Sequence, residues 1–321
     1  MWQNLRAAFL ISAVGMLSAF NAFAEDVTVA VTQIVEHPAL DSVREGVRDE
    51  LASHGYVAGE NMTWYYESAQ GNSGTAAQIA RKFIGDKPDV IVAIATPSAQ
   101  TVAAVARSVP VVFSAVTDPV SAKLVSSSEL PGANITGVSD QLPMARHMDM
   151  ILEAVPGAKT IGTVYSPGEA NAVALVEALE AELSARGIKL EKAAATKSSE
   201  VLAAARSLAG KVDAIFLTTD NTVITAAEAV IQLGYRAKIP VFAADTDTVA
   251  RGAAAALGFN YYDVGRQTGA MVVRILEGAE PATMPVEVPE KLSLHVNPAS
   301  AERMGLTLPQ PLIDRADKVI Q

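Results

Sequence analysis

The chain has 321 residues, 50% hydrophobic and 19% charged, and 35 acidic against 25 basic side chains give a net charge of -10. This composition is typical of a globular protein. The acidic balance argues against a nucleic-acid partner, because phosphate contacts need clustered Lys and Arg. The sequence has no cysteine, which excludes disulfides, thiol chemistry and lipid attachment through cysteine.

The N-terminus has the pattern of a secretory signal peptide. Arg6 is the only charge before an apolar run over residues 7–20, and Ala22-Phe23-Ala24 has the small-x-small form of a signal peptidase site. A retained membrane anchor is the alternative, but a spanning helix needs about 20 predominantly apolar residues and this run is shorter. We therefore predict a signal peptide over residues 1–24, cleaved after Ala24, and an exported mature protein.

Short strand-like runs alternate with amphipathic segments from Val27 onward. The runs rich in β-branched and apolar residues cover 27–35, 62–68, 89–96, 110–116, 160–166, 190–196, 213–219 and 240–245. Between them, apolar residues recur at helical spacing, as at Leu40, Val43, Val47 and Leu51. This alternation predicts an α/β fold of parallel sheets with helices on both faces, and the chain length favours two such sheets.

The two halves of the chain repeat one pattern. KPDVIVAIATPSAQTVAAVA begins at Lys87, and KVDAIFLTTDNTVITAAEAV begins at Lys211. Each continues to a strand that begins with proline, at Pro110 and Pro240, and then to Thr-Asp-x-Val. The ordered series predicts two similar lobes related by a pseudo-twofold axis.

Polar residues follow the predicted strands, where ligands bind in such sheets. The strand from Asp89 runs into Thr96-Pro97-Ser98-Ala99, which predicts Thr96 as a helix N-cap, Pro97 at the first helical position and an anion site at the free N–H groups. Other polar residues at predicted strand ends are Thr117, Asp118, Asp140, Asp220, Asn221, Asp245, Thr246 and Asp247. Lobes that face each other would bring these groups into one cleft.

The sequence lacks the common catalytic and metal-binding motifs. It contains no G-x-S-x-G, no P-loop and no G-x-G-x-x-G. The histidines at 37, 54, 147 and 295 have no paired ligand spacing, so surface or structurally satisfied histidines are the favoured interpretation. No spacing singles out a carboxylate pair for acid–base work. We predict a binding protein that is not an enzyme and has no metal and no cofactor.

Six motifs, in this order, carry a resemblance to a known family. They are IATPSAQ (94–100), VFSAVTDPVSAKLV (112–125), NITGVSD (134–140), FLTTDNTV (216–223), PVFAADTDTVARGAAAALGFNYYDVGRQTG (240–269) and LHVNPASAERMGLTLP (294–309). The chain resembles the periplasmic solute-binding components of ABC transporters, in the branch that includes tryptophan- and tyrosine-type binding proteins. The resemblance covers essentially the whole mature chain. It implies a monomeric, two-lobed fold of the type I periplasmic-binding-protein kind, which clamps a small molecule and delivers it to a membrane permease.

The resemblance implies three crossovers between the lobes. Their expected places are near Asp140, Arg251 and Thr283. These divide the chain into one lobe of residues 27–140 plus 252–282 and a second of residues 141–251 plus 283–321. The stretch 258–262 is then expected to be a returning strand that enters a helix near Asp263.

A zwitterionic amino acid needs an anion site and an acceptor for its ammonium group. The turn at Thr96 and Ser98 would meet the first need through helix N–H groups, and Asp220 or Asp245 would meet the second. Phe113, Tyr165 and Tyr261 are candidates for an aromatic wall, although ordinary core or lobe surface is the favoured place for each.

The sequence does not choose among tryptophan, tyrosine, phenylalanine and aliphatic amino acids, and a nucleoside or small sugar stays open. Two other classes of protein share the architecture. One is a sensory module that presents a ligand to a membrane receptor. The other is the effector core of a transcription repressor, against which export and the lack of a helix-turn-helix segment before Val27 both argue.

Overall fold

The structure, a computed structural model, describes residues 26–320, so the predicted signal peptide over residues 1–24 lies outside the described residues. The strands of the first sheet are β1 (Val27–Gln33), β2 (Met62–Ser68), β3 (Val90–Ile94), β4 (Val111–Val116) and β5 (Ile135–Ser139). They are parallel and lie in the order β2-β1-β3-β4-β5.

The second sheet follows in the chain. Its strands are β6 (Thr160–Tyr165), β7 (Lys189–Ala194), β8 (Ala214–Leu217), β9 (Val241–Ala243), β10 (Ala255–Phe259), β11 (Leu292–Val296) and β12 (Lys318–Val319). They lie in the order β12-β11-β10-β9-β8-β6-β7. Only the β10–β11 pair within this sheet is antiparallel. The second sheet is therefore mixed, where a parallel sheet was predicted.

Helices connect the strands and cover the sheets. They are α1 (Pro38–Ser53), α2 (Ser73–Asp86), α3 (Thr96–Ala103), α4 (Met144–Ala154), α5 (Ala170–Ala185), α6 (Val201–Arg206), α7 (Asn221–Thr225), α8 (Ala227–Ala237), α9 (Asp247–Ala250), α10 (Tyr261–Leu276), α11 (Pro298–Arg303) and α12 (Gln310–Asp314). Single 3-10 turns occupy Ser198–Glu200 and Pro281–Thr283. Every residue of β3 and β4 is buried, as expected for parallel strands with helices on both faces.

The predicted α/β fold of two lobes is confirmed, and each of the eight predicted strand segments overlaps an observed strand. Strands β11 and β12 were not predicted. The returning strand is Ala255–Phe259 rather than 258–262, and α10 begins at Tyr261, two residues before the expected Asp263. Among the described residues, no helix combines the length and the apolar character needed to cross a bilayer.

Two of the expected crossovers lie later in the chain than predicted. Strand β10 pairs with β9 and β11, so residues 252–260 belong to the second lobe and the chain returns to the first lobe at Asn260, not near Arg251. The segment after Thr283 stays with the first sheet, because Ser139 N–H donates to the Glu287 carbonyl at 2.8 Å and Glu287 N–H donates to the Gly137 carbonyl at 3.0 Å. The third crossover therefore follows Glu287. The backbone pairing of these segments, which their apolar pattern does not specify, sets both boundaries.

Helices α1 and α10 pack in unusually close contact on the first lobe. A Cβ atom at Gly265 would overlap the carbonyl oxygen of Val43, and one at Gly46 would overlap the carbonyl oxygen of Tyr262. Only glycine permits backbones to approach this closely. The contact fixes the N-terminus of α1, capped by His37, and the N-terminus of α10, which starts at Tyr261, relative to each other.

Candidate functional site

A narrow cavity lies where the two lobes face each other. Its first-lobe and hinge lining is His37, Ala39, Leu40, Ala115, Thr117, Asp140 and Tyr261, and its second-lobe lining is Asn171, Thr219, Asn221, Ile224 and Asp245. A wider groove opens beside it between the lobes, with Glu36 and Pro97 on one side and Glu169 and Thr222 on the other.

Asp140 is a buried carboxylate at the end of β5. Its Oδ2 accepts a hydrogen bond of 2.8 Å from the Tyr261 hydroxyl, and its Oδ1 accepts one of 3.3 Å from Thr117 Oγ1. Burial raises the pKa of Asp140, and the two hydroxyl donors act in the opposite direction. The carboxylate thus keeps acceptor capacity beside the cavity, because each oxygen has a second lone pair.

Asp245 is a second buried carboxylate, at the end of β9 in the second lobe. Its Oδ1 accepts from the Thr248 N–H at 2.9 Å, and its Oδ2 accepts from the Thr248 hydroxyl at 2.7 Å. Burial raises the pKa of Asp245, while these bonds and the nearby His37 lower it. One acidic group from each lobe therefore reaches the same cavity.

The lining of the cavity contains no lysine or arginine among the residues that the structure describes. An isolated carboxylate is costly to bury, so buried charges are paired or coordinated. The cavity therefore matches a ligand that brings its own cationic group.

Helix α3 begins differently from the prediction. Its N-cap is Ala95, at φ 72° and ψ 155°, no side chain caps the helix, and Thr96 is the first helical residue. The prediction of Thr96 as the cap is wrong because the turn is made one residue earlier, in a backbone conformation that alanine rarely adopts. Strained backbone of this kind concentrates at ligand sites. The hydroxyls of Thr96 and Ser98 are buried and have no hydrogen-bond partner.

Further buried polar atoms without a partner lie at corresponding strand and helix ends. They are Thr32 Oγ1 in the last two residues of β1, Thr218 Oγ1 and Thr219 Oγ1 after β8, and Asn171 Oδ1 at the start of α5. An unsatisfied buried polar atom costs about 1–3 kcal/mol, and native proteins rarely keep several. Their concentration at the facing edges of both sheets is typical of a site that hydrogen-bonds a polar ligand.

Asp220 does not line the cavity. Its carboxylate caps α7 by accepting from the Val223 N–H at 3.0 Å, and its other oxygen accepts from the Ser166 N–H at 2.5 Å. Burial, followed by the charge of Glu169, raises the pKa of Asp220 to about 7. Asp220 is therefore a helix cap in this structure, whereas the sequence analysis gave it as one of two candidate partners for an ammonium group.

The N-terminus of α7 is occupied by the chain's own carboxylate. Glu169 accepts from Asn221 Nδ2 at 2.6 Å, from the Thr222 N–H at 3.0 Å and from the Thr222 hydroxyl at 2.6 Å. The corresponding helix of the first lobe, α3, has no such internal anion. The pseudo-symmetry therefore leaves one of the two equivalent helix starts available to a ligand.

The remaining predicted residues divide between the cleft and its surroundings. Thr117, Asn221 and Tyr261 line the cavity, and Pro97 lines the groove. Ala99 is buried in α3 without lining either space, and Asp118 closes a local turn by accepting from Ser121. Thr246 precedes α9 and does not line the cavity. Of the aromatic candidates, Phe113 is core and Tyr165 lines neither space.

His37 is the main cavity residue that the sequence did not indicate. It is buried, caps α1 by accepting from the Leu40 N–H through Nδ1 at 3.5 Å, and lines the cavity. Burial is the largest cause that lowers the pKa of His37 to about 4, with Arg251 adding to it and Asp245 opposing it. His37-Pro38 is a polar cap followed by proline, the same pattern that marked Thr96-Pro97, and it was the available signal.

Ala115 also lines the cavity without having been predicted. Its φ is 53°, and the register of β4 against β5 shifts between Phe113 and Val116. A bulge at the end of a strand redirects the backbone and is common beside functional sites. The residue type at position 115 does not predict this bulge.

Comparison with known proteins identifies the family. The family model described as ABC transporter substrate binding protein matches residues 28–320. The chain belongs to this family. Its members are substrate-binding proteins and not enzymes, in agreement with the prediction of a binding protein. The chain is also 34% identical over 269 residues to the "Tyrosine-binding protein" of Clostridioides difficile strain R20291, which covers 84% of this chain and 78% of that protein.

Two solved structures bear on the arrangement of the lobes. An ABC domain from Streptococcus pneumonia in complex with L-Trp is 32% identical and superposes with a TM-score of 0.89, over 92% of this chain and 100% of that one. The ligand-free, open structure of a substrate binding protein with adhesive properties from Clostridium difficile is 36% identical. It superposes with a TM-score of 0.70, over 92% of this chain and 99% of that one. This chain therefore superposes more closely on the L-Trp complex than on the ligand-free, open structure, although its sequence is more identical to the latter.

Proposed function

We propose that this protein is the extracytoplasmic solute-binding component of an ABC importer and that it binds a zwitterionic aromatic amino acid between its lobes. The observation that carries the proposal is the pair of buried carboxylates, Asp140 and Asp245, in a cavity whose described lining has no cationic side chain. The ligand's ammonium group supplies the missing charge.

The opposite end of the ligand has its own site in this proposal. The carboxylate binds at the start of α3, where the helix N–H groups have no capping side chain and the hydroxyls of Thr96 and Ser98 have no partner. An aromatic side chain is supported by Tyr261, Leu40 and Ile224 in the cavity lining, and by relatives described as tyrosine-binding and as bound to L-Trp.

Export and delivery complete the proposal. The signal peptide over residues 1–24, cleaved after Ala24, sends the protein across the inner membrane to the periplasm, where it acts as a monomer. Ligand selects the closed arrangement of the lobes, and a membrane permease recognises that arrangement. No nucleic acid takes part.

Identification of the ligand tests the proposal. Native mass spectrometry of the purified protein, followed by denaturation, releases and identifies any co-purified small molecule. Titration calorimetry with L-tyrosine and L-tryptophan then measures affinity for the parent, Asp140→Asn and Asp245→Asn. We expect at least one amino acid to bind and both variants to lose about 2–5 kcal/mol, the range for truncating one partner of a buried charge pair. Parent-like affinity in both variants would contradict the ammonium site.

A further inference from the structure

The second lobe contributes two asparagine side chains to the cavity lining. Asn171 lies near the start of α5, Asn221 begins α7, and both side chains are buried. A primary amide has one oxygen that accepts hydrogen bonds and one NH2 group that donates them. The orientation of each amide therefore decides which kind of ligand group it can bind, and the partner of its NH2 group fixes that orientation.

The amide of Asn171 is oriented by its own lobe. Its Nδ2 donates to the Thr219 carbonyl oxygen at 3.1 Å, and its Oδ1 is buried without a partner. A carbonyl oxygen only accepts, so the NH2 group has to face Thr219. Asn171 thus supplies a free acceptor in the lining of the cavity.

The amide of Asn221 is oriented by Glu169. Asn221 Nδ2 donates to Glu169 Oε2 at 2.6 Å, and a carboxylate only accepts, so this contact requires the NH2 group. Glu169 lines the groove and not the cavity, whereas Asn221 lines both spaces. Because the two polar atoms leave the amide carbon in different directions, the NH2 group is committed to the groove and the oxygen is left for the cavity.

The carboxylate of Glu169 is itself held in place. Its Oε1 accepts from the Thr222 N–H at 3.0 Å and from the Thr222 hydroxyl at 2.6 Å, and its Oε2 also accepts from the Asn221 N–H at 3.2 Å. Glu169 is the N-cap residue of α5, but its side chain makes no capping bond to that helix. Its hydrogen bonds therefore go to the residues that begin α7.

We infer that Glu169 is a positioning residue that makes Asn221 present its amide oxygen to the ligand, so that the second-lobe wall of the cavity selects a ligand with an amino group. The oxygens of Asn171 and Asn221 supplement the carboxylate of Asp245 on the same lobe. A primary ammonium group has three N–H donors to share among them. The inference rests on the proposed function and assigns the basis of its preference for an amino group.

Glu169→Gln removes the carboxylate and keeps the size of the side chain. The one oxygen of glutamine is expected to stay with Thr222, whose two donors make bonds of 3.0 Å and 2.6 Å, so that its NH2 group faces Asn221. The Asn221 amide then has to turn, accept from that NH2 group and present its own NH2 group to the ligand.

The readout is a selectivity ratio, which is the affinity for the amino acid divided by the affinity for its analogue without the amino group. Calorimetric titration measures it with L-tryptophan and indole-3-propionate, or with L-tyrosine and 3-(4-hydroxyphenyl)propionate. The ratio should fall at least about tenfold in E169Q, the size expected for a lost hydrogen bond to a charged group. Affinity for the analogue should change little, whereas general damage to the cleft would weaken both ligands alike.

Two further variants separate orientation from charge. Glu36→Gln is the matched control, because Glu36 is exposed in the same groove and its recorded side-chain bond is to Tyr66, which does not line the cavity. E36Q should keep the ratio of the parent. The double variant E169Q/N221D reverses the pair, since a glutamine NH2 group can donate to the new carboxylate, which has an oxygen for the cavity in either orientation. It should regain the ratio.

A parent-like ratio in E169Q, an equal fall in E36Q, or a double variant that folds without regaining the ratio would overturn the role of Glu169 and leave the proposed function intact. If neither amino acid binds the parent, or the parent itself has no preference for the amino group, the proposed function fails together with this inference. If E169Q does not fold, Glu169→Ala decides. The donors at the start of α7 then face the open groove, Asn221 loses its anchor, and an unchanged ratio would contradict the inference.

Discussion

The Tyr261 hydroxyl donates a buried hydrogen bond of 2.8 Å to Asp140 Oδ2. Asp140 follows β5, just before the chain first leaves the first lobe, and Tyr261 begins α10, just after the chain returns. The bond therefore links two of the three connections between the lobes. It also fixes the position of one acidic group of the cavity.

Loss of this hydrogen bond should shift the pH dependence of binding. Burial raises the pKa of Asp140, and the Tyr261 hydroxyl counteracts that effect. In Tyr261→Phe the pKa of Asp140 should rise further, so the carboxylate becomes neutral at a higher pH. Affinity for a cationic group falls as pH falls through that pKa, and its midpoint should therefore move to higher pH in Y261F. Calorimetric titrations from about pH 4 to pH 8 measure the midpoint; an unchanged midpoint would show that Asp140 does not receive the ammonium group.

Asp220→Asn should affect folding and not binding. The Ser166 N–H and the Val223 N–H both need an acceptor, and the amide of asparagine supplies only one oxygen. We expect the free energy of unfolding to fall by about 1–3 kcal/mol and the ligand affinity to stay within about threefold of the parent. Denaturant unfolding and calorimetry measure the two quantities. A loss of affinity comparable to that of Asp245→Asn would instead indicate that Asp220 contacts the ligand.

The raised pKa of Asp220 also predicts the direction in which the free energy of unfolding changes with pH. Its pKa in the folded protein is about 7, above the ordinary 3.8, so the folded state holds the proton more tightly than the unfolded chain. This contribution to stability is complete below about pH 4 and is lost as pH rises through 7. The decline in unfolding free energy between these pH values should be smaller in Asp220→Asn than in the parent.

Thr96→Ala tests the start of α3. Because Ala95 is the N-cap and the Thr96 hydroxyl has no partner, the variant should leave the stability of the ligand-free protein unchanged or slightly higher. It should lower ligand affinity by about 1 kcal/mol, the value of one hydrogen bond. Asn72→Ala is the matched control, since Asn72 does cap α2 with a bond of 2.9 Å to the Thr75 N–H, and it should lose about 1 kcal/mol of stability. Equal destabilisation by both variants would mean that Thr96 acts as a cap.

Gly265→Ala should strongly destabilise the first lobe. The added Cβ would overlap the Val43 carbonyl, so α1 and α10 would have to separate. We expect the free energy of unfolding, measured with denaturant, to fall by at least about 2 kcal/mol. The overlapping atom belongs to the backbone, which cannot move aside as the end of a flexible side chain can. Gly85→Ala in α2 is the control, as a Cβ there meets no atom within 4 Å, and it should be neutral or slightly stabilising. Similar effects of the two substitutions would contradict the close helix contact.

The sequence predicted most of the fold because apolar periodicity is a local signal. The strands that it missed, β11 and β12, carry mixed burial or are exposed, so their pattern is weak. The later boundaries of the lobes depend on backbone pairing of 255–259 and 284–287, which no side-chain pattern specifies.

The cleft was predicted in part for similar physical reasons. The placement of polar residues after strands found Thr117, Asp140, Asn221 and Asp245, since strand ends of parallel sheets meet at one edge. It could not separate Asp220, whose oxygens face backbone N–H groups, from Asp245, which faces the cavity. It also passed over His37, whose burial beside the cavity is a property of the folded protein and not of its sequence pattern.

The proposed function requires that buried acidic groups receive the ammonium group of a zwitterionic ligand in the cleft. Calorimetric titration of the parent with L-tryptophan and with indole-3-propionate, which has the same ring and carboxylate but no amino group, tests this requirement. We predict that loss of the amino group lowers affinity by at least about 2 kcal/mol, roughly 30-fold, because Asp140 and Asp245 then stay buried without a cation. Equal affinity for the two compounds would contradict the role of these carboxylates as the ammonium site.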